Sequence, residues 1–363
     1  MSKLVAFGEI MARLAPPGFL RLRQALPGSL DVTFAGSEAN VAVTVAQLGG
    51  ESAFVTALPR NPPADACAGT LAGLGVDVSH IVRTEYGRLG LYFLETGANQ
   101  RPSNVLYDRE GSSVSRTPAK AYDWAAILSG ASWFHVSGIT PAISREAAGA
   151  TLGAVQAADE SGITVSCDLN FRKKLWRWED GVSPRELAER TMRTILPFVD
   201  VVVANEEDAA NVLSIVAEET DVEAGKLAAD RYPAVAQEIV SQFGNVSAVA
   251  VTLRESISAS HNRWGGMYYE RDSGSAFFAP WGEGGYQPYE IRSIVDRVGA
   301  GDAFAGALIY ALMTPDLCAP ETAVAFAAAA SCLAHSVSGD FNFCSRQEVL
   351  ALVEGGGSGR VVR

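Results

Sequence analysis

Cysteine and histidine are scarce in this chain: five cysteines and four histidines stand among 363 residues. The cysteines (Cys67, Cys167, Cys318, Cys332, Cys344) form an odd, scattered set without a CxxC pair, and the histidines (His80, His135, His261, His335) lack metal-ligand spacing. This speaks against a disulfide framework or a zinc site, and the thiols are expected to be buried in a reducing cytoplasm. His135, in "WFHVSG", is read as a satisfied strand-end residue. Positive charge is in deficit too, with 29 Lys and Arg against 41 Asp and Glu and a net charge of −12. Such a field repels nucleic acid and anionic membranes, so neither is expected as a partner, and an anionic ligand must be held by local cations or backbone N–H groups. Long apolar runs are absent: Ala303–Met313 and Ala323–Ala334 are too short to span a bilayer. The N-terminal "MSKLVAFGEIMARL" has too short an uncharged stretch for a signal-peptide core, which makes a cytoplasmic protein the expectation. No internal repeat is found. "AEETDVEAGKLAAD", residues 217–230, reads as a solvated acidic face, and "EGGGSGRVVR", residues 354–363, as a flexible tail or an appended scar.

What is present is an apolar fraction of 48%, enough for a substantial core. Short apolar or β-branched runs recur as "LVAFGE", "SAFVTAL", "SWFHVSG", "ITVSCDLN", "VDVVVANEED" and "SAVAVTL", mostly separated by stretches of helical periodicity. The alternation predicts an α/β fold with a largely parallel sheet covered by helices. Two stretches, 11–35 and 88–118, break the rhythm with Pro, Gly, aromatics and short alternating segments. They are assigned to a small β-rich lid inserted into a core made of 1–10, 36–87 and 119–353.

The strongest local signal is "DRVGAGDAFAGALIYAL", Asp296 to Leu312. Gly299, Ala300 and Gly301 permit a tight turn and close approach of a ligand, and the apolar run that follows supplies a helix whose first N–H groups suit an anion. Asp302 reads either as a helix N-cap or as a base that takes the proton of an attacking hydroxyl while the neighbouring amides stabilise a phosphoryl group. The pattern is neither a Walker A loop, since no GK[ST] follows, nor a dinucleotide-binding GxGxxG.

Together with "AGSEANVAVTVAQLGG" at 35–50, this motif resembles the two signatures of the ribokinase-like carbohydrate kinases, the PfkB family, and the resemblance covers essentially the whole chain. It implies a three-layer α/β/α core with a mostly parallel sheet and an inserted β lid, ATP and Mg²⁺ as cofactors, an anion hole at Gly299, Ala300 and Gly301, Asp302 as catalytic base, and sugar contacts from Gly36, Ser37 and Asn40. Asn40 also reads as a helix-start cap. Within the family, "LAPPGFLRLRQA", "GLYFLETG", "RPSNVLYDREGSS", "SGITPAIS" and "DLNFRKKLW" are most similar to the branch acting on the sugar acid 2-keto-3-deoxygluconate. A carboxylate substrate calls for guanidinium and phenol donors, which the resemblance assigns to Tyr92, Tyr107, Arg109 and Arg172. Each also has a structural reading: Tyr92 as packing between lid and core, Arg109 as a surface arginine, Arg172 as half of an ion pair. Other branches carry an aspartate for sugar hydroxyls at the place of Arg13, which weakens a ribose or nucleoside reading.

On the nucleotide side, "ANEEDA" resembles the family's NxxE motif, with Asn205 and Asp208 implied to organise magnesium through water; an acidic helix start capped by Asn205 is the alternative. "VTLRESISAS" at 251–260 stands where relatives have a glycine-containing nucleotide loop, so Thr252 and Arg254 are carried over. Adenine contacts are expected from Ala329, Cys332 and Asn342. Asp296 either orients a monovalent cation or fixes the turn. The expected activity is ATP-dependent phosphorylation of the C6 hydroxyl of 2-keto-3-deoxygluconate. The alternatives are a fructokinase-like enzyme for a neutral sugar and a non-catalytic sugar-binding regulator. Lid edges invite pairing between chains, so a homodimer or higher homo-oligomer is expected.

Overall fold

A computed structural model describes residues 2–205, 207–215 and 231–355; the acidic segment 217–230 and residues 356–363 of the tail lie outside the described residues. Among the described residues the main sheet has ten strands. Seven run parallel in the spatial order Val76–Asp77, Glu51–Val55, Lys3–Phe7, Trp133–Ser137, Thr164–Asp168, Val201–Ala204 and Ala248–Ser258. The chain moves outward from Lys3–Phe7 on one side and from Trp133–Ser137 on the other, so the topological switch lies between these two strands. Ligands of open α/β sheets collect beyond the carboxyl ends of strands at such a switch.

Alternation along each strand feeds two apolar layers. Val5, Val165 and Val202 face a core closed by the helices Arg145–Glu160, Pro184–Ile195 and Tyr232–Gln242. Leu4, Val201 and Val203 face the opposite core, closed by Ser37–Gln47, Ala300–Leu312 and Pro320–Ala334. This sandwich of helices, sheet and helices is the α/β architecture read from the sequence.

One edge differs from the reading. Residues 251–258 are no loop: Ala248–Ser258 continues as a long strand and pairs antiparallel with His261–Glu270, which in turn holds Ser275–Ala279 and Tyr289–Ile291. The polar run "RESIS" is extended because its partner strand satisfies its backbone, while its side chains are exposed or half-buried.

A separate four-stranded sheet is built in the order Asp31–Ala35, Met11–Ala15, Gly90–Glu95, Asn104–Asp108. Its register puts Arg13, Tyr92 and Tyr107 in one cross-strand row, and Val32, Leu14, Phe93 and Leu106 in the adjacent row, on the opposite face. Of the cysteines, Cys67, Cys167 and Cys344 are buried as expected, whereas Cys332 is half-buried and Cys318 is exposed at the start of Pro320–Ala334. His135 is buried with Nδ1 2.8 Å from Ser166 Oγ. Among the described residues no helix is long and apolar enough to cross a membrane.

Candidate active site

A cavity of about 370 Å³ opens at the carboxyl ends of the parallel strands, between the core and the inner row of the small sheet. Its floor is the turn before the helix Ala300–Leu312. Gly299 there has φ +88°, and a Cβ on it would lie 2.2 Å from the carbonyl oxygen of Asp340, so only glycine fits. The first helical bond runs from Ala303 N to Gly299 O (2.8 Å). The amides of Ala300, Gly301 and Asp302 precede it, in the turn whose N–H groups a helix cannot satisfy internally. N–H groups so placed beside a cavity suit an anion. Ser331 Oγ donates to Ala300 O (2.5 Å) and fixes this turn to the neighbouring helix.

Asp302 is no N-cap. It lies inside the first turn, and its carboxylate accepts from Ser37 Oγ (2.7 Å) and Asn40 Nδ2 (2.6 Å) rather than from a helix amide. Burial pushes its pKa up to about 6, against the pull of those two hydrogen bonds. A carboxyl in that range is ionised at neutral pH and still basic enough to share a hydroxyl proton. Ser37 and Asn40 are presented by the start of Ser37–Gln47, where Asn40 Oδ1 also takes the Gly36 N–H (3.3 Å). Gly36 is obligatory because a Cβ would stand 2.1 Å from the Glu9 carbonyl. Below them Glu38 is fully buried, its Oε1 accepting from Ser137 N, Ser137 Oγ and Thr140 Oγ1, and burial pushes its pKa up to about 7.

On the side of the small sheet, Tyr92, Tyr107 and Arg109 line the cavity with Glu9. Tyr92 donates its hydroxyl to Asp340 Oδ1 (2.7 Å), and Tyr107 is exposed with the Arg109 guanidinium 5.4 Å from its ring centre. Arg109 is not a surface arginine: it grips Glu9 Oε2 through Nε (2.6 Å) and Nη2, leaving Glu9 Oε1 buried without a partner among the described residues. Arg172 reaches the cavity from beyond Thr164–Asp168, donating to its neighbour's carbonyl, Phe171 O, at 3.0 Å. Asp168 and Asp208 lie beside it. Burial raises both carboxyls, Asp168 well above the carboxylate range; mutual repulsion and Asp302 add to the rise at Asp168, and Arg172 opposes it at both.

The nucleotide-side assignments divide. Asn205, Asp208, Thr252 and Arg254 line the cavity, joined by Asn262, Trp264 and His335. Asn205 Oδ1 caps the following turn by accepting from Glu207 N (2.8 Å) and Asp208 N (3.1 Å), the structural reading of that motif. Asp208 accepts from Phe171 N (2.9 Å) and Asn205 N (3.1 Å). Ala329, Cys332 and Asn342 do not reach the cavity: Ala329 is 0% exposed inside the helix-side core, and Asn342 Oδ1 caps Cys344 N at 3.0 Å. Apolar packing explains Ala329 without a ligand, whereas Asn342 Nδ2 is buried with no hydrogen-bond partner among the described residues.

The monovalent-cation reading of Asp296 also gives way. Its Oδ1 accepts from Arg297 N (2.8 Å) and Val298 N (3.2 Å), and its Oδ2 from Gly339 N (3.3 Å) and from Arg13 Nη2. Four donors fill its lone pairs, so Asp296 fixes the turn.

Sequence reasoning missed Glu9, Asp168, Asn170 and Asp340. Asn170, with φ +35°, donates to Ser37 Oγ (3.1 Å) and so belongs to the Asp302 network. The strand-end rule that selected Arg172 applies equally to Asp168 and Asn170, and to Glu9 at the exit of the first strand.

A half-buried carboxylate in the first turn of a helix with free N–H groups, at the switch of a doubly wound sheet, is the arrangement of a phosphotransferase with an alcohol group as acceptor. The chain belongs to the pfkB family of carbohydrate kinases, whose model matches residues 1–256 and 271–346. It is 34% identical to the 2-dehydro-3-deoxygalactonokinase of Haloferax volcanii, over 99% of this chain and 98% of that one. Its fold superposes on the crystal structure of the 2-dehydro-3-deoxygluconokinase of Thermotoga maritima with a TM-score of 0.87, at 46% identity over 98% and 100% of the two chains. A fructokinase of Xylella fastidiosa solved with bound ATP gives a TM-score of 0.73 at 25% identity, covering 98% and 99%.

Proposed function

We propose that the protein transfers the γ-phosphoryl group of Mg-ATP to the C6 hydroxyl of 2-keto-3-deoxygluconate, also called 2-dehydro-3-deoxygluconate. The observation that carries this reading is Asp302, held by Ser37 and Asn40 in the helix turn that follows Gly299, with Arg172 at the same cavity. Asp302 takes the hydroxyl proton as the new P–O bond forms and the bond from the γ-phosphorus to the β,γ-bridging oxygen breaks to release ADP, and the amides of Ala300 and Gly301 receive the charge of the transferred group. Arg172 and Tyr107 recognise the acid. The free Oε1 of Glu9 accepts from a sugar hydroxyl, with Arg109 holding the carboxylate in place. The buried, mutually repelling carboxylates of Asp168 and Asp208 fit a hydrated magnesium ion nearby, and Asn205, Thr252 and Arg254 fit the nucleotide phosphates. The ion supplies charge neutralisation between the phosphates when bound.

The test is ADP release with Mg-ATP and 2-keto-3-deoxygluconate beside fructose and ribose, for the native chain and Arg172→Gln. Loss of a charge-assisted contact predicts a KM for the sugar acid raised roughly 10- to 100-fold in the variant. Turnover on fructose in preference to the acid, unaffected by Arg172→Gln, would replace this reading with that of a neutral-sugar kinase.

We further propose that a second copy covers the outer face of the small sheet, where Val32 and Leu106 are each 59% exposed in one cross-strand row. Light scattering should return at least twice the chain mass, and Leu106→Lys should halve it; a one-chain mass for the native protein would refute the proposal.

A further inference from the structure

Two carboxylates beside the phosphate-binding turn are removed from water: Asp296 is 5% exposed and Asp340 7%. Between them lies the guanidinium of Arg13, itself 4% exposed. Its Nη1 donates to Asp340 Oδ1 (2.6 Å) and its Nη2 to Asp296 Oδ2. Tyr92, the residue paired with Arg13 across the lid strands, donates to the same Asp340 oxygen (2.7 Å). Both acids touch the turn. Asp296 gathers the N–H groups of Arg297 and Val298, the two residues before Gly299, and the carbonyl of Asp340 is the atom against which Gly299 packs. Arg13 thus reaches the GAG amides through a carboxylate on each flank.

We propose that Arg13 is a positioning residue that serves as the built-in cation of the phosphate-binding turn, so that phosphoryl transfer in this protein needs no diffusible monovalent cation. Two buried carboxylates side by side are tolerated only with a countercharge that is also hydrogen-bonded, and a guanidinium with its fixed fork satisfies both at once. Burial works against the charge on Arg13, yet Asp340 and Asp296 together hold its pKa above the ordinary arginine value. Arg13 is rooted in a lid strand, so the same contact ties the lid to the turn. On its far side Arg13 borders a second cavity of about 640 Å³, lined also by Asp296 and Gly339. Truncating the side chain would open the two carboxylates to that cavity and admit a small cation.

The inference rests on the kinase reading of the GAG turn, and its test separates the two. The native chain is assayed at constant ionic strength in potassium, sodium and tetramethylammonium chloride. ADP is measured by chromatography so that no coupling enzyme responds to the salt, and melting temperature is recorded in parallel. Equal rates and equal melting temperatures in the three salts are expected; potassium activation or a potassium-dependent rise in melting temperature would overturn the proposal. Arg13→Ala is expected to lose about a hundredfold in kcat in tetramethylammonium, the order of a misplaced reacting group, with recovery in potassium or millimolar guanidinium. An Arg13→Ala chain as active as the native one in every salt would also overturn it. Should that variant not fold, Arg13→Lys keeps a charge at the site and is expected to remain salt-independent, and salt dependence in it counts against the proposal. If the native chain turns over no sugar, the kinase reading fails and the melting temperatures still decide the role of Arg13.

Discussion

Asp302→Asn is expected to lower kcat by about 10³, within the range for loss of a general base, while ATP and sugar binding change little. The substitution preserves shape, and an amide at this position still accepts from Asn40 Nδ2 and donates to Ser37 Oγ, so the turn keeps its geometry. What disappears is the site for the hydroxyl proton. A variant that retained a tenth of the native rate would remove Asp302 from that role. The native pH profile offers a second reading of the same group. With a pKa raised to about 6, Asp302 is protonated below that pH, and kcat/KM should fall with a slope of about tenfold per pH unit. Stability moves the other way. A carboxyl whose folded pKa lies above its unfolded value binds more protons when folded, so its cost to stability is full above pH about 6 and is relieved as the pH falls toward the ordinary carboxylate value. Glu38, raised to about 7, has the same sign. Rate loss near pH 5 should therefore be reversible, without unfolding attributable to these two groups.

Gly299→Ala is expected to be nearly as damaging, by a different route. The left-handed backbone alone costs a non-glycine residue about 1–3 kcal/mol. The added carbon also meets a backbone carbonyl, that of Asp340, at 2.2 Å, and Asp340 is held by Arg13 and Tyr92 and has nowhere to retreat. The turn must deform, its amides leave their aim, and kcat should drop by about 10² together with a lowered melting temperature. Gly301→Ala is the control: a Cβ there meets nothing within 4 Å, so its melting temperature should match the native one. Equal melting temperatures for the two variants would refute the packing argument.

The alternation of parallel strands and helices was legible because each strand carries one face to each apolar layer, and fully buried strands read as short apolar runs. The antiparallel edge was not. In His261–Glu270 the pair Gly265 and Gly266 looks like a break, yet a Cβ on Gly266 would lie 2.5 Å from the Phe304 ring, so that glycine makes room for a core aromatic inside a strand. Asp302, Ser37 and Asn40 were legible from their motifs. Glu9 and Asp340 were not, because each gains meaning only from a partner distant in sequence: Arg109 lies 100 positions from Glu9, and Arg13 lies 327 from Asp340. Arg13 itself was visible only as a departure from an aspartate, and its role follows from the two acids that tertiary structure brings to it.

Tyr107 stands on a sheet separate from the helix start that holds Asp302, whereas Arg13 and Tyr92 of the same row reach that turn through Asp340. Tyr107 can therefore be rewritten by mutation while the turn is inherited intact, and Arg13 and Tyr92 mark where that freedom ends.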